Sequence, residues 1–291
     1  MMIREAVTIF EEKSIIVRQQ QFKENQYILT LKAPKASQKA LPGEFAFIDC
    51  GKQVCLRRPL SYLRTNTKNK WVEFLYKIVG PGLEALSQLQ PGDEVDLMGP
   101  IGNGFRCGKT HQIPVLIGGG VGIPPVLFLA EYLKDLNQGY SPVAFFGSEA
   151  PFPFSVIKSA MPINGIEDGA SIIDMEEKNI PCRLASLSGL EGCHNSYVTD
   201  LADQWIKTLD QKDLSKIAIY ACGPEPMLRS TAKLARFYGV DCQISLEEFM
   251  ACATGGCAGC TVKVSLPEGK IMQRVCVDGP VFDAQMIYPY D

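Results

Sequence analysis

Four cysteines near the carboxyl end have the residue type and spacing of metal ligands. They follow the pattern C-x4-C-x2-C with one further cysteine after fifteen intervening residues, and they are Cys252, Cys257, Cys260 and Cys276. This spacing is typical of plant-type 2Fe-2S centres. Three glycines in the loop, Gly255, Gly256 and Gly259, predict positive φ angles that bring backbone N–H groups close to sulfur. A zinc ion held by four cysteines is the alternative, although such sites more often use two C-x2-C pairs.

The chain holds eleven cysteines in all, an odd number in a long chain. A disulfide framework is typical of short secreted chains, so metal binding explains the cluster better. The cysteines outside the cluster are expected to be small buried hydrophobic residues, and among them only Cys222 merits a second role. These seven are Cys50, Cys55, Cys107, Cys182, Cys193, Cys222 and Cys242.

A glycine-rich segment predicts a phosphate-binding turn. The sequence PVLIGGGVGIPPVLFLAEYL reads as an apolar strand, a glycine turn and an amphipathic helix, so backbone donors and a helix N-terminus would face an anionic pyrophosphate. A second strand-turn-helix unit, IAIYACGPEPMLRS, lies about a hundred residues further along the chain. The first turn departs from the G-x-G-x-x-G fingerprint, and a tight turn without a ligand is the alternative.

The motifs must be positioned by folded domains. The predicted secondary structure changes twice along the chain, which indicates three regions. Short β-rich runs separated by turn residues fill roughly the first hundred positions and predict an antiparallel barrel or sandwich. Strands alternating with amphipathic helices follow and predict a doubly wound parallel α/β sheet. The last fifty residues concentrate Cys and Gly and end in a hairpin-like pair around PEGK. We expect domains at residues 1–108, 109–240 and 241–291, with 168–195 as a loop-rich insertion.

Length, charge and hydropathy exclude several classes of function. With 291 residues and 46% hydrophobic content, the chain can bury a sizeable core. Lys and Arg number 29 against 32 Asp and Glu, a net charge of -3, so no nucleic-acid partner is expected. The segment MMIREAVTIFEEKS lacks the features of a secretory signal, and glycines and prolines interrupt the most apolar segment. A soluble cytoplasmic protein without a membrane span is therefore expected.

The two turns resemble the pyridine-nucleotide domain of the ferredoxin-NAD(P) reductase superfamily, and the resemblance rests on GGGVGIPP and CGPEPM. It implies that the first motif binds the dinucleotide through Gly119, Gly120, Gly122, Ile123 and Pro124. It also implies that the second motif borders the nicotinamide beside a flavin, with Cys222 as the catalytic residue and with Gly223, Pro224 and Met227 beside it.

The end of the strand that follows the first turn indicates which nucleotide is bound. The segment AFFGSEAPF presents Ser148 and Glu149, and no Lys or Arg occurs between Asp135 and Lys158. A carboxylate can accept hydrogen bonds from a ribose diol but repels a 2′-phosphate. Glu149 therefore favours NAD over NADP, with a solvated surface acid as the alternative interpretation.

A flavin site is expected because nicotinamide releases two electrons as hydride, whereas a 2Fe-2S cluster accepts one. Arg58-Pro59-Leu60-Ser61 resembles the superfamily's R-x-Y-S motif, in which the arginine holds the FAD pyrophosphate and the serine lies near the flavin ring. Leucine replaces the motif's tyrosine here. Gly80-Pro81-Gly82-Leu83 resembles the later G-x-G-T phosphate loop but lacks its hydroxyl. The same resemblance assigns three residues shortly before this loop to the FAD site: Tyr76, Lys77 and Ile78.

The whole order of motifs resembles the electron-transfer subunits of type 1B dihydroorotate dehydrogenase. It runs LRRPLS, GPIGNGF, GGGVGIPP, CGPEPM, MACATGGCAGC and CVDGPVF. The resemblance implies an FAD-binding antiparallel β-barrel domain, an NAD-binding doubly wound α/β domain and a small 2Fe-2S module. It also implies a partner in pyrimidine biosynthesis, an FMN-containing catalytic subunit that oxidises dihydroorotate, in a heterotetramer with two subunits of each kind.

Other functions stay open at this point. Related NAD(P)H-dependent reductase subunits serve a hydrogenase, a glutamate synthase or a ferredoxin, and a degenerate flavoprotein, indicated by Leu60 and Leu83, could sense redox state through its cluster. His111 and His194 each stand alone in a loop-like context, so no acid-base catalyst is expected. Three apolar residues beside the cluster would either face another subunit or pack inside: Phe249, Met250 and Ala251.

Overall fold

The computed structural model describes residues 9–51 and 54–290, which begin with a closed antiparallel barrel of six strands. The strands are β1 (Phe10–Phe22), β2 (Gln26–Lys32), β3 (Phe45–Ile48), β4 (Arg58–Asn66), β5 (Trp71–Lys77) and β6 (Glu94–Ile101). Two helices lie between them, α1 (Pro34–Lys39) and α2 (Pro81–Gln88). The predicted barrel is thus confirmed, while the segment MMIREAVT lies outside the described residues.

The barrel is closed by strand pairs that bury apolar side chains inside it. Strand β2 pairs with β5 over its whole length, and β3 pairs with β4 so that Phe45 lies opposite Ser61. Leu29, Leu31 and Phe74 are fully buried in the interior. Each such side chain contributes about 1.5–3 kcal/mol through removal from water. The interior is therefore a packed core, and a large ligand has to bind at the barrel surface.

A second sheet of six strands has the spatial order β11-β8-β7-β12-β13-β16. Its strands are β7 (Ile113–Gly119), β8 (Val143–Gly147), β11 (Cys182–Ala185), β12 (Ile217–Cys222), β13 (Cys242–Ser245) and β16 (Val281–Asp283). All neighbours are parallel except β13 and β16, which run antiparallel. The chain runs outward from β7 through β8 to β11 and then crosses to β12 on the other side of β7, so the strand order reverses between β7 and β12.

Helices cover both faces of this sheet, as the doubly wound prediction requires. They are α3 (Ile123–Asp135), α5 (Val198–Ile206), α6 (Gln211–Leu214) and α7 (Glu225–Tyr238). Neighbouring residues of β7 alternate between two cores, with Leu116 packed on the α3 side and Val115 on the side of α5 and α7. Burial on both faces explains why the strands read as continuous apolar runs.

The segment 168–195 is rich in loops, as its sequence predicts, but it is not an insertion. It contains β10 (Ala170–Ile172), which pairs with β9 (Val156–Lys158), then α4 (Ile173–Glu177), and then β11. Strand β11 pairs in parallel with β8 and forms one edge of the large sheet. This strand was not predicted because short runs such as CRLA carry no clear periodicity.

The last unit is a small module built around the predicted hairpin, which the structure confirms. Strands β14 (Thr261–Leu266) and β15 (Gly269–Arg274) pair antiparallel, and the helix α8 (Ala284–Ile287) follows β16. Strands β13 and β16, on either side of this module in the chain, both belong to the large sheet. Among the described residues, no helix combines the length and apolar content needed to cross a bilayer.

A buried ionic cluster joins the barrel to the sheet. Arg64 of β4 donates from Nε to Glu131 Oε1 of α3 at 2.8 Å, and its Nη2 lies 3.2 Å from Asp174 Oδ2. Its Nη1 lies 3.7 Å from Glu73 Oε2. Burial raises the pKa of the Glu131 carboxyl, which Arg64 opposes. Because a buried charge without its partner costs several kcal/mol, this cluster holds the two units in one orientation.

Candidate functional site

The four cysteines of the metal motif meet as two pairs in the small module. Cys252 and Cys257 lie in the loop before β14, and the N–H of Cys257 donates to Cys252 Sγ at 3.4 Å. Cys260 ends that loop and Cys276 follows β15, and their sulfur atoms are 3.3 Å apart. Cys252 also acts electrostatically on Cys276, so the two pairs adjoin.

The loop bends at different residues from those predicted. Of the three glycines, only Gly255 has a positive φ, at 85°, whereas Ala253 and Ala258 adopt 54° and 55°. The expectation for Gly256 and Gly259 was therefore wrong. A left-handed alanine costs about 1–2 kcal/mol, and such strain persists where the surroundings over-determine the backbone. The expected N–H donors are present, because Gly259 donates to Cys257 Sγ at 3.4 Å.

The thiols of the two pairs differ in pKa. Hydrogen bonds from the backbone N–H groups of Cys257 and Thr254 lower the pKa of Cys252 to about 6. Burial and the neighbouring Cys260 raise the pKa of Cys276 to about 12. Thiolates are the species that bind metal, so a bound cation would compensate the buried negative charge.

The four cysteines lie as two pairs in the structure. Within residues 9–51 and 54–290, no group of three or more His, Cys, Asp or Glu side chains is arranged to hold a metal ion. The backbone donors to sulfur and the C-x4-C-x2-C spacing fit a 2Fe-2S cluster held by four cysteine thiolates, whereas structural zinc more often uses two C-x2-C pairs.

The metal module packs directly on the barrel. Cys260 and Cys276 share a buried core with Phe45 and Phe47 of β3. Strand β3 pairs with β4, which carries the flavin motif from Arg58 to Ser61. The thiol pair therefore packs against β3, and the flavin motif lies on the strand beside it.

Arg58 is placed to bind an anion. A Cβ on Gly82 would fall 2.6 Å from the Arg58 guanidinium, so this side chain lies flat against the first turn of α2. Arg57 instead pairs with Glu11 at 2.6 Å. A guanidinium beside the exposed N–H groups of a helix N-terminus suits a pyrophosphate.

Several residues of the flavin motifs are buried in the barrel. Leu60 and Leu83 belong to its core, which explains why leucines stand where the superfamily motifs have polar groups. Tyr76 is also buried and stacks on Tyr27 with ring centroids 5.3 Å apart. The remaining members of the predicted set are half-buried or exposed near the motif: Pro59, Ser61, Lys77, Ile78 and Gly80.

A cavity of about 880 Å³ opens at the carboxyl ends of β7 and β8. Five residues predicted to bind the nucleotide line it, namely Gly119, Gly120, Glu149, Pro224 and Met227. The barrel contributes Gln26 and Lys77 to the same cavity. Its position at the reversal of strand order is where doubly wound sheets bind dinucleotides.

The two turns of the nucleotide motifs contact each other directly. A Cβ on Gly122 would fall 2.6 Å from the backbone of Cys222 and Gly223, and one on Gly119 would fall 2.6 Å from Met227 Sδ. Ile123 and Pro124 are buried at the start of α3. Only glycine permits this approach, so the turns form one unit.

Cys222 is buried, and burial raises the pKa of its thiol to about 12, with a further contribution from Glu247. The pKa of Glu247 is itself raised by burial and by Glu248. Sequence reasoning missed Glu247. Its signal was a carboxylate just after β13, whose Ser245 lies opposite Cys222 in the neighbouring strand.

The Glu149 carboxylate is held by the loop after β11. Ser188 Oγ donates to Oε2 at 2.6 Å, and the Leu187 N–H donates to Oε1 at 3.4 Å. Lys207 and Lys233 line the same cavity. The absence of Lys and Arg near Glu149 in sequence therefore did not predict the charge of the folded cavity.

Known proteins are similar to this chain in sequence and in fold. A family model described as the iron-sulfur cluster binding domain of dihydroorotate dehydrogenase B matches residues 247–288. The "Dihydroorotate dehydrogenase B (NAD(+)), electron transfer subunit" of Caldanaerobacter subterraneus is 34% identical over 86% of this chain and 87% of its own length. The chain belongs to this family. The protein of the same name from Geobacillus thermodenitrificans is 32% identical over 95% of this chain and 98% of its own length.

Solved structures agree with the fold of these electron transfer subunits. A structure of an NADH-dependent reduced ferredoxin-NADP oxidoreductase is 25% identical with a TM-score of 0.75, covering 94% of this chain and 89% of its own. The ferredoxin reductase in carbazole 1,9a-dioxygenase is 21% identical with a TM-score of 0.62, covering 81% and 68%. The predicted family and reductase-like fold are both confirmed.

Proposed function

We propose that this chain carries electrons between a catalytic dihydroorotate dehydrogenase subunit and NAD, through a 2Fe-2S cluster and FAD. One observation carries the proposal. Cys260 and Cys276 share a core with β3, and the flavin motif lies on the adjacent strand β4. A flavin held by that motif would lie one strand away from the thiols, and Lys77 of the predicted flavin set lines the nucleotide cavity.

The residues of the three sites divide the work as follows. Arg58 and the N-terminus of α2 hold the FAD pyrophosphate, while Gly119 and Gly120 hold that of NAD. When bound, FAD exchanges a two-electron hydride for the single electrons that a 2Fe-2S cluster accepts. Cys222 and Glu247 border the nicotinamide, and the Cys222 thiol stays protonated at neutral pH because its pKa is about 12. The four ligand thiolates hold the irons.

The proposed assembly extends beyond this chain. The relatives are named as electron transfer subunits of dihydroorotate dehydrogenase B, which supports a catalytic partner of that kind. We infer an FMN-containing partner, two subunits of each kind, and a cytoplasmic place in pyrimidine biosynthesis. We also retain a division into an FAD domain at 1–108, an NAD domain at 109–240 and a cluster module at 241–291.

The test of the proposal is the absorption spectrum of the purified protein. Anaerobically isolated protein is expected to show flavin and 2Fe-2S bands that both bleach with NADH, together with iron and acid-labile sulfide. Zinc without sulfide, or a cluster that NADH leaves oxidised, would refute the electron path.

The surface beside the cluster fits a partner. Phe249 is 94% exposed, while Met250 packs against the core of the module. Replacing Phe249 by glutamate is expected to weaken binding of the catalytic subunit by at least about tenfold, because buried aromatic anchors dominate interface energies. The measurement is titration of the partner by calorimetry. Val156→Glu, on a half-exposed strand of the nucleotide unit, should bind normally, and equal affinities for both variants would contradict this docking surface.

The proposed role of Glu149 in binding the NAD ribose can be tested by replacing Glu149 itself and Ser188, which hydrogen-bonds to its carboxylate. Glu149→Gln is expected to raise KM for NADH by about tenfold and Ser188→Ala by about threefold, because charged hydrogen bonds are worth about 1.5–3 kcal/mol. Steady-state kinetics with an artificial dye measure both. Flavin content and kcat should stay unchanged, as should KM in the control Ser215→Ala, whose hydroxyl donates to Lys212 O. An unaltered KM in Glu149→Gln would reject the role.

The second candidate is a reductase subunit that serves another acceptor, such as a ferredoxin, a hydrogenase or a glutamate synthase. The likeness to a solved NADH-dependent ferredoxin-NADP oxidoreductase favours it. Co-purification from the native cell distinguishes the two, because a partner that lacks FMN and does not oxidise dihydroorotate would replace the first proposal by the second.

A further inference from the structure

Arg274 connects the two segments that supply the four cysteines. It is the last residue of β15 and stands two positions before Cys276. Its Nη1 donates to the carbonyl oxygen of Gly255 at 3.2 Å. Gly255 lies between Cys252 and Cys257, so the guanidinium bridges from the segment of the fourth cysteine to the loop of the first three.

Asp278 holds Arg274 from the other side. Its Oδ2 accepts the backbone N–H of Arg274 at 2.7 Å and lies 3.6 Å from Arg274 Nε. The Arg274 carbonyl in turn accepts the N–H groups of Val277 at 3.1 Å and of Asp278 at 2.8 Å. The turn that carries Cys276 is thus closed by hydrogen bonds, and the arginine side chain leaves it from a fixed point.

Gly255 connects this arrangement to sulfur. With φ at 85°, it lies so close to its neighbours that a Cβ would fall 2.6 Å from Val277 Cγ2 and 3.2 Å from Arg274 Nη1. Its backbone N–H lies near Cys276, where it opposes the raised pKa of that thiol. Arg274 fixes the carbonyl oxygen of Gly255. Loss of the guanidinium would therefore leave the backbone of Gly255, including the N–H near Cys276, less firmly held.

We propose that Arg274 is a positioning residue for the 2Fe-2S cluster, an inference that rests on the cluster of the proposed function. Its side chain ties the three-cysteine loop to the turn of Cys276. Its positive charge also favours the reduced cluster, which carries one more negative charge than the oxidised form. The side chain is 41% exposed and faces Asp278, so solvent and the carboxylate reduce the electrostatic part.

The test is a redox titration of the full chain with flavin and cluster bound, followed by electron paramagnetic resonance. Arg274→Gln is expected to lower the ratio of reduced to oxidised cluster about threefold at a fixed potential. It should also lose iron to a chelator about tenfold faster, because a support of the ligands is missing. Arg274→Lys keeps the charge and is expected to restore the ratio while the faster iron loss persists.

Lys270→Gln is the matched control, since it removes one positive charge from the same strand without touching the cysteine loop. Its ratio and its rate of iron loss should equal those of the wild type. Wild-type values of both quantities in Arg274→Gln overturn the inference, whereas a wild-type protein without any cluster overturns the proposed function itself. If Arg274→Gln does not fold, Arg274→Lys decides: faster iron loss supports the tie, and a wild-type rate overturns it.

Discussion

Replacement of Cys276 by serine is expected to leave a flavoprotein that oxidises NADH but passes almost no electrons to the catalytic subunit. The rate with an artificial dye should stay within about twofold of the wild type, while electron transfer between NADH and the partner falls by at least about 100-fold. The reason is structural. Cys276 forms one of the two thiol pairs, with its sulfur 3.3 Å from that of Cys260, and a hydroxyl is a much poorer iron ligand than a thiolate.

Three measurements check this expectation: iron and sulfide content, the dye-linked rate, and reduction of NAD by dihydroorotate in the assembled complex. Cys193→Ser is the matched control, because Cys193 is half-buried against the core of the large sheet and outside the cluster. The control should retain the full iron content and both rates. Undiminished transfer to the partner in Cys276→Ser would mean that electrons bypass the cluster.

Replacement of Gly122 by alanine is expected to slow flavin reduction by NADH about 100-fold. The new Cβ would fall 2.6 Å from the carbonyl carbon of Cys222, which is backbone and cannot move aside alone. The two turns must therefore separate, and displacement of bound reactants by about 1 Å can cost 100-fold in rate. Stopped-flow absorbance of the flavin under anaerobic conditions gives the rate directly.

The control for this variant is Gly139→Asn, at a glycine that also has a positive φ, 83°, but open space around its Cβ position. Asparagine tolerates that conformation, so the rate should equal that of the wild type. FAD content and cluster content should be normal in both variants. A normal reduction rate in Gly122→Ala would show that contact between the turns is not required for hydride transfer.

The grouping of the four cysteines was predictable because the pattern is local. Three of the four fall within nine consecutive residues, and this spacing is typical of plant-type 2Fe-2S centres. The loop conformation was less predictable, since glycine merely permits a left-handed φ and does not demand it. Ala253 and Ala258 adopt the positive angles instead of Gly256 and Gly259, because the contacts of the packed module outweigh the local preference.

The sequence did not predict which lysines line the nucleotide cavity or which residue orients Glu149. No Lys or Arg stands close to Glu149 in the sequence. Lys207 and Lys233, which belong to later segments of the chain, nevertheless line the same cavity. Ser188, which orients Glu149, lies in the segment interpreted as a loop-rich insertion. The position of Ser188 follows from strand β11, which lies at the sheet edge beside β8 and brings its loop next to Glu149. Lys207 follows α5 and Lys233 lies in α7.

From the amino-acid sequence we could predict the grouping of the four cysteines, the two glycine-containing turns and the order of barrel, α/β sheet and C-terminal module. Each of these depends on residues that are close in the chain, where spacing and periodicity limit the conformation directly. The distant groups that contact them became visible in the folded protein alone: Arg274 at Gly255, Ser188 at Glu149, and Glu247 beside Cys222. Such pairs depend on which strands become neighbours and in which register, and this follows from burial of the whole core rather than from any local pattern.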